Sequence, residues 1–199
     1  MLGARTNVES RHAMKRSNAF IAVLAALQLA GCAPTVMPPD VLQASLHEPY
    51  TLSAGDKLRI IVFGQDALSN IYAVDGAGRI SMPLIGAVDA RGLTTGALEK
   101  SIEGRLRNGF LREPKVSVEV DTYRPFFILG EVTTSGQYPY VNNMTIQTAV
   151  AIAGGYSPRA ARTYAEVTRV VNGDLVTVNV PVTTPIRPGD TVVVKERFF

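Results

Sequence analysis

Hydrophobic positions in this chain repeat at two spacings, and the spacing changes from segment to segment. From residue 57 the order Lys-Leu-Arg-Ile-Ile-Val-Phe alternates and then ends apolar, which predicts a strand over 57–63. Residues 71–74 predict another. Asp75-Gly76 follows as a pair suited to closing a hairpin, with residues 78–86 as the returning strand and Pro83 favouring an edge or bend. Leu98, Ile102 and Leu106 form one stripe at helical spacing and predict a helix over 93–108, capped by Thr94 or Thr95 and stopped by Gly109. Gly96 and Gly104 weaken that helix. After Pro114, residues 115–121 alternate strictly, as a half-exposed strand does.

The pattern restarts near Arg124. Phe126-Phe127-Ile128-Leu129 predicts a buried strand. Ile146, Ala149, Val150 and Ala153 stand at i, i+3, i+4 and i+7, a helix over 145–153 that Gly154-Gly155 ends. Residues 165–171 and 175–180 flank Asn172-Gly173, a strong hairpin signal. Pro188-Gly189-Asp190 introduces a last strand over 191–194, much as Ala54-Gly55-Asp56 introduces the first. Gly-Asp is a common turn into a strand, so the echo does not by itself establish duplication. Each half reads as several strands plus one helix. The expected class is therefore α+β, with two small strand-rich domains at 50–122 and 123–199.

Upstream of residue 50 the pattern is different. Residues 19–30 are apolar except for Gln28, and Lys15 and Arg16 precede them. The run is about half of the ~20 residues a spanning helix needs. A basic stretch, a short apolar run and a small-residue exit describe a cleaved secretory signal over 1–31. This changes the meaning of the charge. The 199 residues hold 20 Lys+Arg against 17 Asp+Glu, a net charge of +3 with pI near 9.1, which first points toward nucleic acid. Arg5, Arg11, Lys15 and Arg16 against Glu9 account for all of that excess. The chain beyond the signal is neutral and has no electrostatic case for a nucleic-acid partner. Residues 33–49, with Pro34, Pro38, Pro39 and Pro49, read as a semi-extended tether.

Candidate chemistry is sparse. A single cysteine excludes an intramolecular disulfide framework and multi-cysteine zinc sites. The two histidines, His12 and His47, fall in the signal and the tether, which leaves no Ser-His-Asp or Cys-His site in the folded part. No metal and no cofactor is implied. Gly76-Ala77-Gly78 begins like a dinucleotide loop, but Ser81 stands where the third glycine belongs and a strand follows instead of a helix. Glu99 and Glu103 share a helix face as a glycosidase pair would; beside Lys100, Arg105 and Arg107 they read instead as a solvated surface. Tyr138, Tyr140 and Tyr156 are ring-stacking candidates, with core or interface packing the commoner use of a tyrosine.

The exit of the signal, Leu29-Ala30-Gly31-Cys32, resembles a bacterial lipobox. In signals of that kind the cysteine thiol takes a diacylglyceryl group and becomes the first residue after cleavage. A plain signal peptide and an uncleaved anchor helix are the competing readings. The short run and the placement of the only thiol favour lipidation of Cys32. More than one acyl chain gives stable anchoring.

From residue 50 onward the chain closely resembles the outer-membrane polysaccharide export family, the Wza-type lipoproteins. The resemblance lies in an ordered set of short motifs. Tyr50-Thr51-Leu52-Ser53-Ala54-Gly55-Asp56-Lys57-Leu58-Arg59-Ile60, Val74-Asp75-Gly76-Ala77-Gly78-Arg79-Ile80, Met82-Pro83-Leu84-Ile85-Gly86 and Arg112-Glu113-Pro114-Lys115-Val116 match the family's export domain. Leu129-Gly130-Glu131-Val132, Gly136-Gln137-Tyr138, Ala151-Ile152-Ala153-Gly154-Gly155-Tyr156 and Pro188-Gly189-Asp190-Thr191-Val192 match its β-grasp-like, ligand-binding SLBB domain. Ser135 stands where the family usually has proline before Gly136. The sequence ends at Phe199, just after the last strand, whereas full-length Wza-type proteins continue into further domains and a pore-lining helix. The resemblance thus implies the short form, with one export and one SLBB domain.

It further implies a non-enzymatic lipoprotein on the periplasmic face of the outer membrane. Such a protein forms a homo-oligomeric ring, passes polysaccharide outward and works with an inner-membrane polysaccharide co-polymerase. Ala33 after the cysteine is consistent with outer-membrane sorting. Arg79, Tyr138 and Tyr156 are the candidate glycan or subunit contacts. The competing functions are an exopolysaccharide-trimming enzyme and a passive glycan-binding envelope lipoprotein.

Overall fold

A computed structural model describes residues 48–171 and 173–197. The signal segment, Cys32, His47 and the tether as far as residue 47 lie outside the described residues, as does His12. Buried side chains form two separate clusters, one built from residues 52–118 and the other from residues 126–194.

In the first module, strand β1 (Lys57–Val62) buries every second residue, Leu58, Ile60 and Val62. It lies between β2 (Asn70–Ala73) and β5 (Val116–Thr122), antiparallel to both. A single turn of 3-10 helix, Asp66–Leu68, joins β1 to β2. Strands β3 (Arg79–Met82) and β4 (Gly86–Asp89) pair only with each other. Helix α1 (Thr95–Arg107) is capped by Thr94, whose hydroxyl accepts the Ala97 amide at 3.2 Å. Leu98, Ile102 and Leu106 are its buried stripe, each worth about 1.5–3 kcal/mol on burial. That stripe carries the helix through Gly96 and Gly104.

The expected hairpin at Asp75-Gly76 is displaced by one step. Those residues do form a tight turn, but β2 runs into the three-stranded sheet and β3 into the ribbon. Pro83-Leu84-Ile85 closes the hairpin instead, and residues 78–86 are not one strand. Proline has no N–H to give a ladder, which ends β3 there.

The second module is a five-stranded mixed sheet in the order β7-β6-β10-β8-β9. Its strands are β6 (Phe126–Gly130), β7 (Gly136–Tyr138), β8 (Tyr164–Val171), β9 (Asp174–Pro181) and β10 (Thr191–Val194). Strand β10 sits at the centre, parallel to β6 and antiparallel to β8. The β8–β9 hairpin pairs Val171 with Asp174 at its closed end. Helix α2 (Ile146–Ile152) contributes Ile146, Ala149 and Val150 to the core, and Thr145 caps it. Among the described residues two α-helices stand with many strands, the strand-rich α+β class expected.

One face of this sheet covers the core and the other is open. Phe126 and Ile128 point inward, whereas Phe127 and Leu129 are 41% and 45% exposed. The expectation of a fully buried β6 is corrected accordingly: an apolar run of four alternates like any other strand. Val170 and Leu175 continue the open face on β8 and β9.

Three charged side chains are buried among the described residues: Asp56, Asp190 and Arg169. Arg169 grips Asp190 with two bonds, Nε to Oδ1 at 2.9 Å and Nη2 to Oδ2 at 2.6 Å. Truncating one member of such a pair leaves an uncompensated buried charge. Asp190→Ala is therefore expected to lower unfolding stability by about 3–5 kcal/mol in a urea titration. Asp89→Ala, which removes an exposed partner 3.9 Å from Arg105, is expected to leave the same titration unchanged.

Candidate functional site

The two Gly-Asp segments fold alike. In Ser53-Ala54-Gly55-Asp56 the Asp56 amide donates to the Ser53 carbonyl at 3.2 Å. In Arg187-Pro188-Gly189-Asp190 the Asp190 amide donates to the Arg187 carbonyl at 3.1 Å. Gly55 and Gly189 take φ of 94° and 85°, which a type II turn demands at its third residue. Each aspartate then folds back on its own turn. Asp56 Oδ2 accepts the Ser53 amide at 2.8 Å, and Asp190 Oδ2 accepts the Arg187 amide at 2.7 Å. Each turn launches the central strand of its sheet, β1 in one module and β10 in the other.

Arg124 joins the two turns. Its backbone N–H donates to Asp56 Oδ1 at 2.9 Å, and its guanidinium reaches Asp56 Oδ2 at 3.4 Å and the Tyr50 hydroxyl at 2.8 Å. The same side chain lies on Gly189, where an added Cβ would stand 2.6 Å from Arg124 Nε. Tyr50, Tyr123 and Tyr140 pack edge to face across the joint, with ring centroids 5.0 and 5.5 Å apart. Burial and the hydrogen bond to Asp56 push the Tyr50 phenol well above its ordinary pKa, so the ring donates and does not ionise.

Between the modules the turns leave a cleft of about 520 Å³. Tyr50, Arg91 and Arg124 line one side, and Arg169, Arg187 and Asp190 line the other. Arg91 donates from Nη2 to the Gly76 carbonyl at 2.7 Å, and Arg187 donates from Nη2 to the Glu48 carbonyl at 2.6 Å. Burial, followed by the nearby Arg169 charge, holds the Arg187 guanidinium below its ordinary value. A shallower depression of about 690 Å³ at the end of the second sheet includes Arg162, Tyr164, Asn179 and Lys195. Lys195 there pairs with Glu166 at 2.6 Å. Among the described residues no group of three His, Cys, Asp or Glu side chains could hold a metal ion.

The sequence-derived candidates do not converge on this cleft. Arg79 is exposed at the start of β3, and its amide donates to Asp75 Oδ1 at 2.9 Å. Tyr138 stacks on Phe126 at 6.0 Å and donates its hydroxyl to the Thr134 carbonyl at 2.8 Å. Tyr156 lies beside Arg162, whose guanidinium carbon is 5.9 Å from the ring centroid. Tyr140 donates to the Ile186 carbonyl at 3.2 Å.

The expectation of a solvated face for Glu99 and Glu103 is corrected. Both are half-buried, and they accept the Val118 and Val116 amides of β5 at 2.9 and 3.1 Å. Two helix carboxylates thus occupy backbone donors along a sheet edge. Sequence reasoning missed Asp56, Asp190, Arg124 and Arg169. The signals for them were the repeated Gly-Asp step and a charge at position 169 in the otherwise apolar row Ala165, Val167, Val171.

Residues 44–121 match the family described as polysaccharide biosynthesis/export protein, and residues 125–180 match the SLBB domain. The two matches in this order make the chain a member of the polysaccharide export proteins, with one export domain and one SLBB domain. Over 120 residues it is also 37% identical to "Exopolysaccharide production protein ExoF" of Rhizobium meliloti (strain 1021). That alignment takes in 54% of this chain and 28% of the relative, so the chain matches little more than a quarter of the relative's length.

The Tyr156 hydroxyl is buried with no hydrogen-bond partner among the described residues, and burial raises its pKa. Tyr156→Phe removes an unsatisfied polar atom and keeps the ring. The expected result is a gain of about 1 kcal/mol in thermal or urea unfolding. A loss of stability would mean the hydroxyl has a partner.

Proposed function

We propose that this protein is a non-enzymatic component of an exopolysaccharide export apparatus. On this reading it is anchored through Cys32 to the periplasmic face of the outer membrane and assembles into a ring through which the polymer passes. The observation that carries the reading is the ordered pairing of an export domain with an SLBB domain in one chain. The relative named for exopolysaccharide production supports the choice of polymer. Among the described residues no helix is long and apolar enough to cross a membrane. The anchor in this reading is the lipid on Cys32.

A conduit needs no reacting group. It needs a closed head-to-tail arrangement of subunits, and so two different patches per chain that are complementary to each other. Exposed apolar side chains supply material for them. Phe63 is 82% exposed beyond β1, and Leu84 is 58% exposed at the β3–β4 tip. Leu84 also has φ of 69°, a left-handed conformation that costs a side-chain-bearing residue about 1–2 kcal/mol. The open face of the second sheet adds Phe127 and Leu129. The partner on the inner-membrane side is a polysaccharide co-polymerase.

Deleting the protein is expected to abolish secretion of the polymer or trap it in the periplasm, measured as hexose in the culture supernatant against cell-associated hexose. Normal secretion would leave only a passive envelope role. Negative-stain microscopy of the detergent-purified protein, with and without the co-polymerase, should show rings; monomers alone in both samples would remove the conduit. Cys32→Ser is expected to convert the membrane-bound form into unprocessed precursor or soluble protein. Unchanged membrane fractionation would refute the anchor.

A further inference from the structure

The chain beyond residue 31 is neutral, yet four arginines gather around the cleft between the modules. Two of them have structural duties. Arg169 is clasped by Asp190, and Arg124 is engaged by Asp56 and Tyr50. The other two are fixed in place without being neutralised. Arg91 and Arg187 each give one N–H to a backbone carbonyl, which orients a guanidinium but leaves its charge and most of its five donors unused. No carboxylate among the described residues lies within ion-pair distance of either. The one further acidic side chain in the lining is Glu48 at the rim, which is exposed.

A concave site at a domain boundary, with a few oriented polar groups and an aromatic wall, has the usual form of a small-ligand pocket. Here the oriented groups are cations, and planar guanidiniums match carboxylate and phosphate oxygens two at a time. The Tyr50 ring adds apolar area to one wall, with the Arg124 guanidinium 5.6 Å over its face.

We propose that this cleft binds an anionic group of the exported polymer, a sugar carboxylate or a phosphate ester, with Arg91 and Arg187 as its ligands. The anion site stands on the arginines alone; the polymer as its source rests on the export reading above. Arg124 and Arg169 hold the walls and are positioning residues. Glu48 faces the same opening and competes with the anion for Arg187, so its removal strengthens binding. A residue that merely braced the fold would not behave in that way.

The test is isothermal titration calorimetry on the full chain in detergent at low salt. Three probes are used: a hexagalacturonate, a neutral malto-oligosaccharide of equal length, and inorganic phosphate. The acidic or phosphate probe is expected to bind at least about tenfold more tightly than the neutral one, the effect of one charge-assisted contact. Arg91→Gln and Arg187→Gln are each expected to weaken it about tenfold, and Glu48→Gln to tighten it severalfold. Arg162→Gln, in the other depression, should change nothing. Uronate binding without phosphate binding assigns the carboxylate source, and the reverse assigns the ester. Equal affinity for the neutral oligosaccharide, cleft variants that bind like the parent, or no binding by any probe would each overturn the proposal. Should either arginine variant fail to fold by circular dichroism, Glu48→Gln decides the matter, since its backbone contact to Arg187 is retained. Anion binding by a protein whose deletion leaves secretion normal would sink the export reading and keep the site; a secretion defect without binding would do the opposite.

Discussion

Each module of this protein depends on an aspartate buried at the start of its central strand. A carboxylate in that position is tolerable only if nearly every lone pair is used and a cation stands beside it. Asp56 meets the condition with two amides, a phenol and Arg124, and Asp190 with an amide and the two-pronged grip of Arg169. Because each carboxylate also ties back the turn that precedes it, the same group fixes where β1 or β10 begins. A slip of one residue in either strand would turn its whole inward row to the solvent. The buried charge therefore specifies register as much as it contributes stability.

The two solutions differ in one respect, and the difference builds the cleft. Asp190 draws its cation from within its own sheet. Asp56 draws its cation from Arg124, in the short segment between the modules, and Arg124 in turn lies against Gly189 of the other turn. One guanidinium thus satisfies a carboxylate in the first module while closing over a turn of the second. The tyrosines at 50, 123 and 140 pack along the same seam and give it apolar area that ion pairing alone does not provide. The remaining arginines of the cleft are oriented by carbonyl oxygens, and this leaves positive charge at a boundary although the residues beyond 31 carry no net charge.

Much of the fold was legible from spacing. The stripe Leu98, Ile102, Leu106 and the set Ile146, Ala149, Val150, Ala153 marked α1 and α2 because burial on one side of a helix leaves a periodic trace. Asn172-Gly173 marked its hairpin because few residue pairs suit that turn. Strand partners were less visible. Asp75-Gly76 makes a turn, but whether the flanking strands pair or part is decided by which sheet each can join. The site was least visible. A Gly-Asp step looks like any exposed turn until the aspartate is found buried, and burial depends on an arginine 68 residues away for Asp56 and 21 away for Asp190. Glu99 and Glu103 show the same limit: their spacing places them on one helix face but does not disclose that β5 lies beneath it.

That last contact bears on how copies of this chain can meet. A sheet edge is an open row of donors and acceptors, and it invites pairing with any other strand. On β5 the Val116 and Val118 donors are already taken by helix carboxylates, so this edge is poorly suited to adding a strand from a neighbour. On β9 the edge ends at Pro181, which has no N–H to offer. With one edge occupied and another shortened, neither β5 nor β9 is well placed to add a strand from another copy, and the exposed apolar residues lie instead on the β3–β4 tip and the open sheet face. In the ring proposed above, contacts through side chains would repeat from copy to copy without running on into an open-ended sheet.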